Sequence, residues 1–561
     1  MTRFLRILMP LVLSVLQAFP QEIKTEAENG VRSGSLTIQK TISGYSGSGY
    51  VGRFENGSDK LTLSVPVVSE GQYDIFIGYC SEYGTKTINV EVNGTRSALE
   101  IPKLDGKFHE VKFGSMYLKS GEVQVIITPN WTWFHIDYVR FVRSENTGTG
   151  FTIPESPVNP NSIRVTKNLY SFLKDNFLKK TVSGVMTLKP LSNPTNEITY
   201  LKSATGKEPA LLGLDFMDHT NSNWVNNPDL VKDAITWWKR NGIVALCWHW
   251  RDPSRETTEF YTEKTSFDVT VVNNPESDGY KAMIHDMDVV AGYLKQLQDS
   301  GVAVLWRPLH EAAGGWFWWG AKGADPCIKL WQLMYNRFTG YHHLNNLIWV
   351  WTTTDDSKAL TWYPGDSYVD ILGMDIYPGE YQHGSQIISF RRVKEIFGGK
   401  KIITLSECGS IPYPEQMQAD GAFWSYFMPW YGTHTKDPQH NSIVDWNKIL
   451  GSDFVITLDE MPKLSDTTSA TGIRIQNRSS VPVKVNREDG SLHLLLPESG
   501  GDFAVRLFSV SGKLLFQDLR VQGPDFSIPL PGNHAGVYLL HVSGNNCNEV
   551  IKFFRQLTLF R

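Results

Sequence analysis

Between about residues 165 and 464 the chain repeats one pattern: a short apolar, β-branched run, then an amphipathic stretch of helical period. The runs are 184–188, 210–216, 243–250, 303–311, 347–352, 370–377, 401–407 and 424–430, and the clearest helical stretches are 229–240, 280–298 and 328–342. Strand and helix in alternation mean a parallel sheet with crossover helices. Eight strands in about 300 residues is the count of a (β/α)8 barrel. A doubly wound sheet would place a glycine-rich turn after its first strand, and "GVMTLKPLSNPTNE" has none.

The flanks read differently. Residues 21–145 alternate apolar and polar positions in runs such as 60–65, 72–78, 87–92, 123–128 and 135–142, which predicts a β-sandwich. A Gly/Pro/Ser-rich linker, 146–164, separates it from the barrel at 165–464. A second polar linker, 465–480, leads to 481–561, a small second β-sandwich with turn pairs at Ser511-Gly512 and Pro531-Gly532. The fold class expected is therefore multidomain: β-sandwich, TIM barrel, small β-sandwich. Residues 1–20, with Arg3 and Arg6 before an apolar stretch from 7 to 18, have the form of a secretory signal peptide and predict a secreted or cell-surface protein. No later segment is long enough to be transmembrane. The five cysteines lie far apart without a CxxC pair, so neither a disulfide framework nor a zinc ribbon is expected. A net charge of −4 offers no basic field for nucleic acid.

In such a barrel the chemistry sits at the carboxyl ends of the strands. There the apolar runs end in Arg307, His310 and Glu311, in Glu407, in His249, and in Asp375 and Tyr377. A single strand-end carboxylate is more often half of an ion pair. Two glutamates on the fourth and seventh strands, with Arg, His and Tyr on others, match what glycoside hydrolysis needs, one carboxyl protonated for the leaving oxygen and one ionised to face the developing cation. Arg307 beside one of them would separate the two roles. "HEAAG" begins like a zinc-protease helix, but Gly314 stands where the second histidine is required. The 18 tryptophans serve either core packing or sugar stacking, and only position separates those uses.

"SGVMTL", "TGKEPALLGLDFM", "IVALCWHW", "WRPLHEAAGGWFWWG", "LGMDIYP", "LSECG" and "WSYFMPWYG" together resemble glycoside hydrolase family 26, a family of secreted β-mannanases. The resemblance implies Glu311 as acid/base and Glu407 as nucleophile. It places His249, Trp316, Tyr377 and Trp430 around the sugar and matches His310 to the histidine before the family's acid/base; Arg307 joins them as a substrate-binding residue. It also implies retaining endo-hydrolysis of mannan, galactomannan or glucomannan with no cofactor for catalysis. A β-1,3-xylanase or mixed-linkage β-glucanase on the same site is the alternative, as is a non-catalytic polysaccharide-binding surface protein. All the proposed catalytic residues lie in the barrel, so the flanking domains are expected to be dispensable for the chemistry.

Near the amino end, "TEAENG" and "NWTWFHIDYV" resemble carbohydrate-binding modules of family 35. That likeness implies a structural calcium on Glu26, Glu28 and Asp137. Tyr45, Tyr50, Trp131 and Trp133 are candidates for sugar stacking, although strand alternation would put both tryptophans on one face, where core packing could claim them. "VRLFSVSGKLLF" and "AGVYLLHVSGNNCNEVIKFF" resemble the carboxyl-terminal sorting domain of the type IX secretion pathway, which implies that export machinery as a partner.

Overall fold

A computed structural model describes residues 22–144, 150–465 and, further on, the strands lying between 484 and 555. The expected signal peptide, most of the second linker and both carboxyl-terminal turn pairs fall outside the described residues. The chain divides into two compact units, residues 1–465 and 466–561.

The amino-terminal sandwich has two antiparallel sheets. One runs Thr37–Gln39, Tyr50–Gly52, His135–Arg143, Gly71–Cys80, His109–Leu118, with Glu22–Glu26 also on His135–Arg143; the other runs Val31–Ser33, Lys60–Val67, Gly121–Pro129, Lys86–Val92, Thr95–Ile101. Alternation does the sorting: Leu61, Leu63, Val65 and Val67 are buried between the sheets while Lys60, Ser64 and Pro66 face out.

The barrel strands are Thr181–Met186, Leu211–Asp215, Ile243–Trp248, Val304–Pro308, Leu347–Thr352, Ile371–Ile376, Ile402–Cys408 and Tyr426–Pro429. They pair in parallel in chain order, and the first also pairs with the eighth, which closes the barrel. All eight expected strands are present; the first begins earlier than read, at Thr181. The crossover helices follow their apolar period. Asp278–Asp299, for example, starts at Ser277, whose hydroxyl accepts from the Tyr280 N–H, and buries Met283, Met287, Val290, Leu294 and Leu297.

Much of the segment read as the first linker is held on the barrel. The Thr152 N–H donates to the Gly399 carbonyl (2.8 Å), the Val158 N–H to Asp370 (2.7 Å) and the Ile163 N–H to the Asn345 carbonyl (2.9 Å), while Phe151 packs edge-on against Phe177. Composition marked these residues as a connection, but Phe151 and Ile153 give the stretch something to bury.

The carboxyl-terminal unit pairs a three-stranded sheet (Lys484–Glu488, Ser491–Leu495, Asp525–Pro529) with a four-stranded one (Leu514–Val521, Phe503–Ser509, Gly536–Gly544, Cys547–Arg555). Leu492, Leu494 and Ile528 of the first share a core with Val505, Leu507, Leu540 and Val542 of the second, as a small β-sandwich requires.

Candidate active site

The centre of the barrel mouth is organised by one guanidinium. Arg307, at the end of the fourth strand and 3% exposed, donates to Asp375 (2.8 Å), to the Thr352 hydroxyl (3.1 Å) and to Glu407 Oε1. The other Glu407 oxygen accepts from the Tyr377 hydroxyl at 2.6 Å, so donors meet both its oxygens. Burial and the Glu407 charge push the Tyr377 phenol far up, which keeps it a donor. A register shift between the sixth and seventh strands inserts Ser406 and sets Asp375 opposite Glu407. The Ser406 hydroxyl then donates to Asp375 at 2.7 Å. Such a bulge re-aims side chains at a strand end.

Glu311 enters by a different local device. Strand alternation would send residues 310 and 311 to opposite sides, but Leu309 (φ 50°) and Glu311 (φ 54°) are left-handed, and both side chains reach the site. Each such residue costs on the order of 1 kcal/mol. The turn is held by the Gly314 N–H on the Glu311 carbonyl (3.0 Å) and the Trp319 indole N–H on the His310 carbonyl (2.9 Å). Trp316 folds back over the same turn and donates to Glu311 Oε2 at 2.9 Å. A Cβ on Gly314 would fall 2.0 Å from the Trp316 ring, so the position that excluded a zinc-protease helix has its own steric requirement for glycine. Oxygens of Glu311, Asp375 and Glu407 all lie within 4.8 Å of one another. Two of the three, Asp375 and Glu407, share one guanidinium. Burial, then the Glu407 charge, raises the Glu311 pKa above the ordinary glutamate value, with Trp316 and Arg307 pulling the other way.

His249 and His310 form the adjoining wall. The Asp215 carboxylate accepts from His249 Nδ1 (2.6 Å), which leaves His249 Nε2 free to accept from His310 Nε2 (3.1 Å). Burial and the neighbouring His249 and Arg307 hold His310 well below the usual histidine range, so it stays neutral. Trp430 lies against His249 with ring centroids 5.5 Å apart. Trp316 and Tyr377 remain 48% and 42% exposed, open for a ring to stack on them. The nine barrel residues singled out from the sequence, Asp375 among them, therefore come together. Asp215, Thr352 and Ser406 were missed. Asp215 ends the second apolar run and the same strand-end rule reaches it, whereas Thr352 and Ser406 acquire partners only through strand register.

Twelve tryptophans are buried, among them Trp306, Trp349 and Trp351; the exposed ones are Trp131, Trp133, Trp224 and Trp316. In the sandwich this overturns part of the alternation argument. Trp131 and Trp133 lie in the loop before His135–Arg143, with Trp133 left-handed, and both are more than half exposed, whereas Tyr50 is fully buried and cannot stack on a ligand.

Glu26, Glu28 and Asp137 converge on the turn 46–48. The Ser46 N–H donates to Asp137 (3.0 Å), the Ser46 hydroxyl to Glu26 (2.6 Å) and the Ser48 N–H to Glu28 Oε1 (2.6 Å). Glu28 Oε2 is buried with no partner, and burial pushes Asp137 up to about 6. An all-carboxylate set with an orphaned oxygen suits a hard cation, although the turn already occupies several of the oxygens.

Residues 158–460 match the model of glycosyl hydrolase family 26, and residues 23–143 match that of carbohydrate binding module family 35. Mannan endo-1,4-beta-mannosidase B of Piromyces sp. is 35% identical over 474 residues, 82% of this chain and 81% of that protein. Among solved structures, the GH26-CBM35 β-(1,4)-mannanase of Podospora anserina is 35% identical (TM-score 0.55, 80% of this chain and all of that one). A β-mannanase from a symbiotic protist of the termite Reticulitermes speratus, complexed with gluco-manno-oligosaccharide, is 43% identical (TM-score 0.53, 56% of this chain and all of that one). With residues 158–460 matched to the family model and a relative 35% identical over 82% of the chain, the chain belongs to glycosyl hydrolase family 26.

Proposed function

We propose that the protein is an endo-β-1,4-mannanase acting on mannan, galactomannan or glucomannan with retention at the anomeric carbon. The observation that carries this reading is the approach of the Glu311 and Glu407 oxygens to within 4.8 Å, with Arg307 and Tyr377 on Glu407 and neither on Glu311. Retaining enzymes hold the two carboxyls about 5–5.5 Å apart, whereas inverting ones leave about 6.5–9.5 Å for a water. In the first step a Glu407 oxygen bonds to the anomeric carbon as the glycosidic bond breaks, and the leaving oxygen takes the Glu311 proton. In the second, Glu311 takes a proton from water, whose oxygen displaces Glu407. His249, His310, Trp316, Tyr377 and Trp430 shape the sugar's surroundings. The names of the relatives favour mannan over β-1,3-xylan or mixed-linkage glucan. Product profiles on mannan, galactomannan, glucomannan, β-1,3-xylan and lichenan test the reading, and strong lichenan cleavage with intact mannan overturns it.

Glu26, Glu28 and Asp137 hold a calcium that stabilises the amino-terminal module, a reading supported by the orphaned Glu28 oxygen. The basic and apolar start of the chain supports export by a signal peptide, and the carboxyl-terminal sandwich acts as a type IX sorting domain. Retention of the protein inside cells after deletion of residues 481–561 is the expected result; unchanged export would remove that role.

A further inference from the structure

The sandwich is docked on the barrel beside the catalytic centre. Strand His109–Leu118 lies on helix Ile387–Ile396 so closely that a Cβ on Gly114 would fall 2.9 Å from Ile388. From that helix Arg392 donates to the Phe113 carbonyl (3.0 Å), the Ala98 carbonyl (2.8 Å) and the barrel's own Asp355 (3.2 Å). The tip of the hairpin joining Lys86–Val92 to Thr95–Ile101 rests on the loop after the sixth strand, its Gly94 carbonyl 3.3 Å from where a Gly384 Cβ would be. These contacts fix the hairpin against the loop that follows Tyr377.

Between the two lies a groove of about 470 Å³. On one side it is lined by Asn89, Arg96 and Ala98, the outward-facing residues of the hairpin, with Asn89 paired across from Ala98. On the other it is lined by Asp355, Gln386, Pro378 and Gly379 and reaches Asp375 and Tyr377, which contact Arg307 and Glu407. The groove is therefore continuous with the cleavage site. Its volume is in the range of ordinary ligand sites. Its polar groups are amides, hydroxyls and charges of both signs, a lining suited to a neutral, hydroxyl-rich chain rather than to an ion. Among the described residues the Arg96 side chain makes no hydrogen bond or ion pair, and its guanidinium donors are open to a ligand.

We propose that this groove is a distal polysaccharide subsite built jointly by the two domains, in which Asn89 and Arg96 of the sandwich hydrogen-bond a substrate chain that extends past Tyr377. It rests on the mannanase reading for the identity of the sugar, and it revises the expectation that the flanking module is dispensable: short substrates never reach the hairpin, long ones do. Because Arg392 and Gly114 hold the hairpin in place, the subsite is formed before substrate arrives.

The test uses the full chain carrying Asn89→Ala with Arg96→Ala and, separately, Ala98→Trp to fill the groove. Both alter outward-facing positions, and thermal melts check that each variant is folded. kcat/KM is measured on manno-oligosaccharides from mannotriose to mannohexaose and on soluble galactomannan. The expected result is no change on the shortest substrate cleaved and a loss of about three- to tenfold per hydrogen bond on the longest. An equal loss at every length, or no loss at any, overturns the joint subsite. Should the wild type leave mannans intact and cleave a glucan instead, the mannan reading falls, and the same comparison on gluco-oligosaccharides still decides the groove.

Discussion

Among the described residues, three carboxyl groups gather both in the barrel and in the sandwich, and the two clusters are built in opposite ways. In the barrel, Glu311, Asp375 and Glu407 stand on three different strand ends within 4.8 Å of one another, with a buried guanidinium serving two of them. In the sandwich, Glu26, Glu28 and Asp137 close on a single turn, where backbone N–H groups and a serine hydroxyl occupy their oxygens. The barrel arrangement pairs unequally and leaves one carboxyl dependent on Trp316, the inequality that the proposed acid and nucleophile roles require. The sandwich arrangement collects negative charge around one strand junction, which suits a cation and gives no group a different task. A carboxyl cluster does chemistry when its members are made different, and structure when they are made alike.

The largest effect expected from breaking this contrast is at Glu407. Glu407→Ala should lower turnover by about a thousandfold or more, because no second nucleophile replaces it. Azide should restore activity with the opposite anomeric product; rescue with retention, followed by NMR, would remove the nucleophile assignment. Glu311→Gln should cost about 10²–10⁴-fold on natural mannan, yet much less on aryl glycosides whose leaving group needs no proton. Equal losses on both substrates would mean that Glu311 is not the acid.

In the sandwich the effect should appear in stability. Calcium at about a hundred times its Kd should stabilise the fold that binds it by about 2.7 kcal/mol, with chelator reversing the gain. Glu28→Gln should abolish that response in thermal melts of the full chain while leaving mannan turnover unchanged; identical melts with calcium and with chelator would leave the three acids as a hydrogen-bonded turn. The smallest effect belongs to Trp316→Phe, which keeps an aromatic face and removes the indole donor. That donor favours ionised Glu311, so its loss should raise the Glu311 pKa further. Activity that needs the protonated acid is lost as pH rises through that value, so the alkaline limb of kcat/KM should move to higher pH, with the optimum rate within about tenfold. A limb that moves to lower pH would contradict the contact.

Sequence by itself determined the order of the domains, the eight strands of the barrel and the strand ends where the chemistry would sit, because strand period and apolar runs are local properties that survive without knowledge of neighbours. It also brought forward Arg307, His310, Glu311 and Glu407, since each is a polar residue ending an apolar run. Only the tertiary structure decided the pairings that give those residues different jobs. Glu407 meets Arg307 and Asp375 across three strands, through a register shift that inserts one serine, and no run of residues announces a register shift. The left-handed backbone at Leu309 and Glu311 is likewise held by contacts from Trp319 and Gly314 rather than by any residue preference. Trp131 and Trp133 look like strand residues in their alternation, and a loop puts both in solvent. The docking of the hairpin beside Tyr377 lies furthest from sequence, since Arg96 and Tyr377 are 281 positions apart and meet across one groove only because the sandwich packs on helix Ile387–Ile396 and the loop before it.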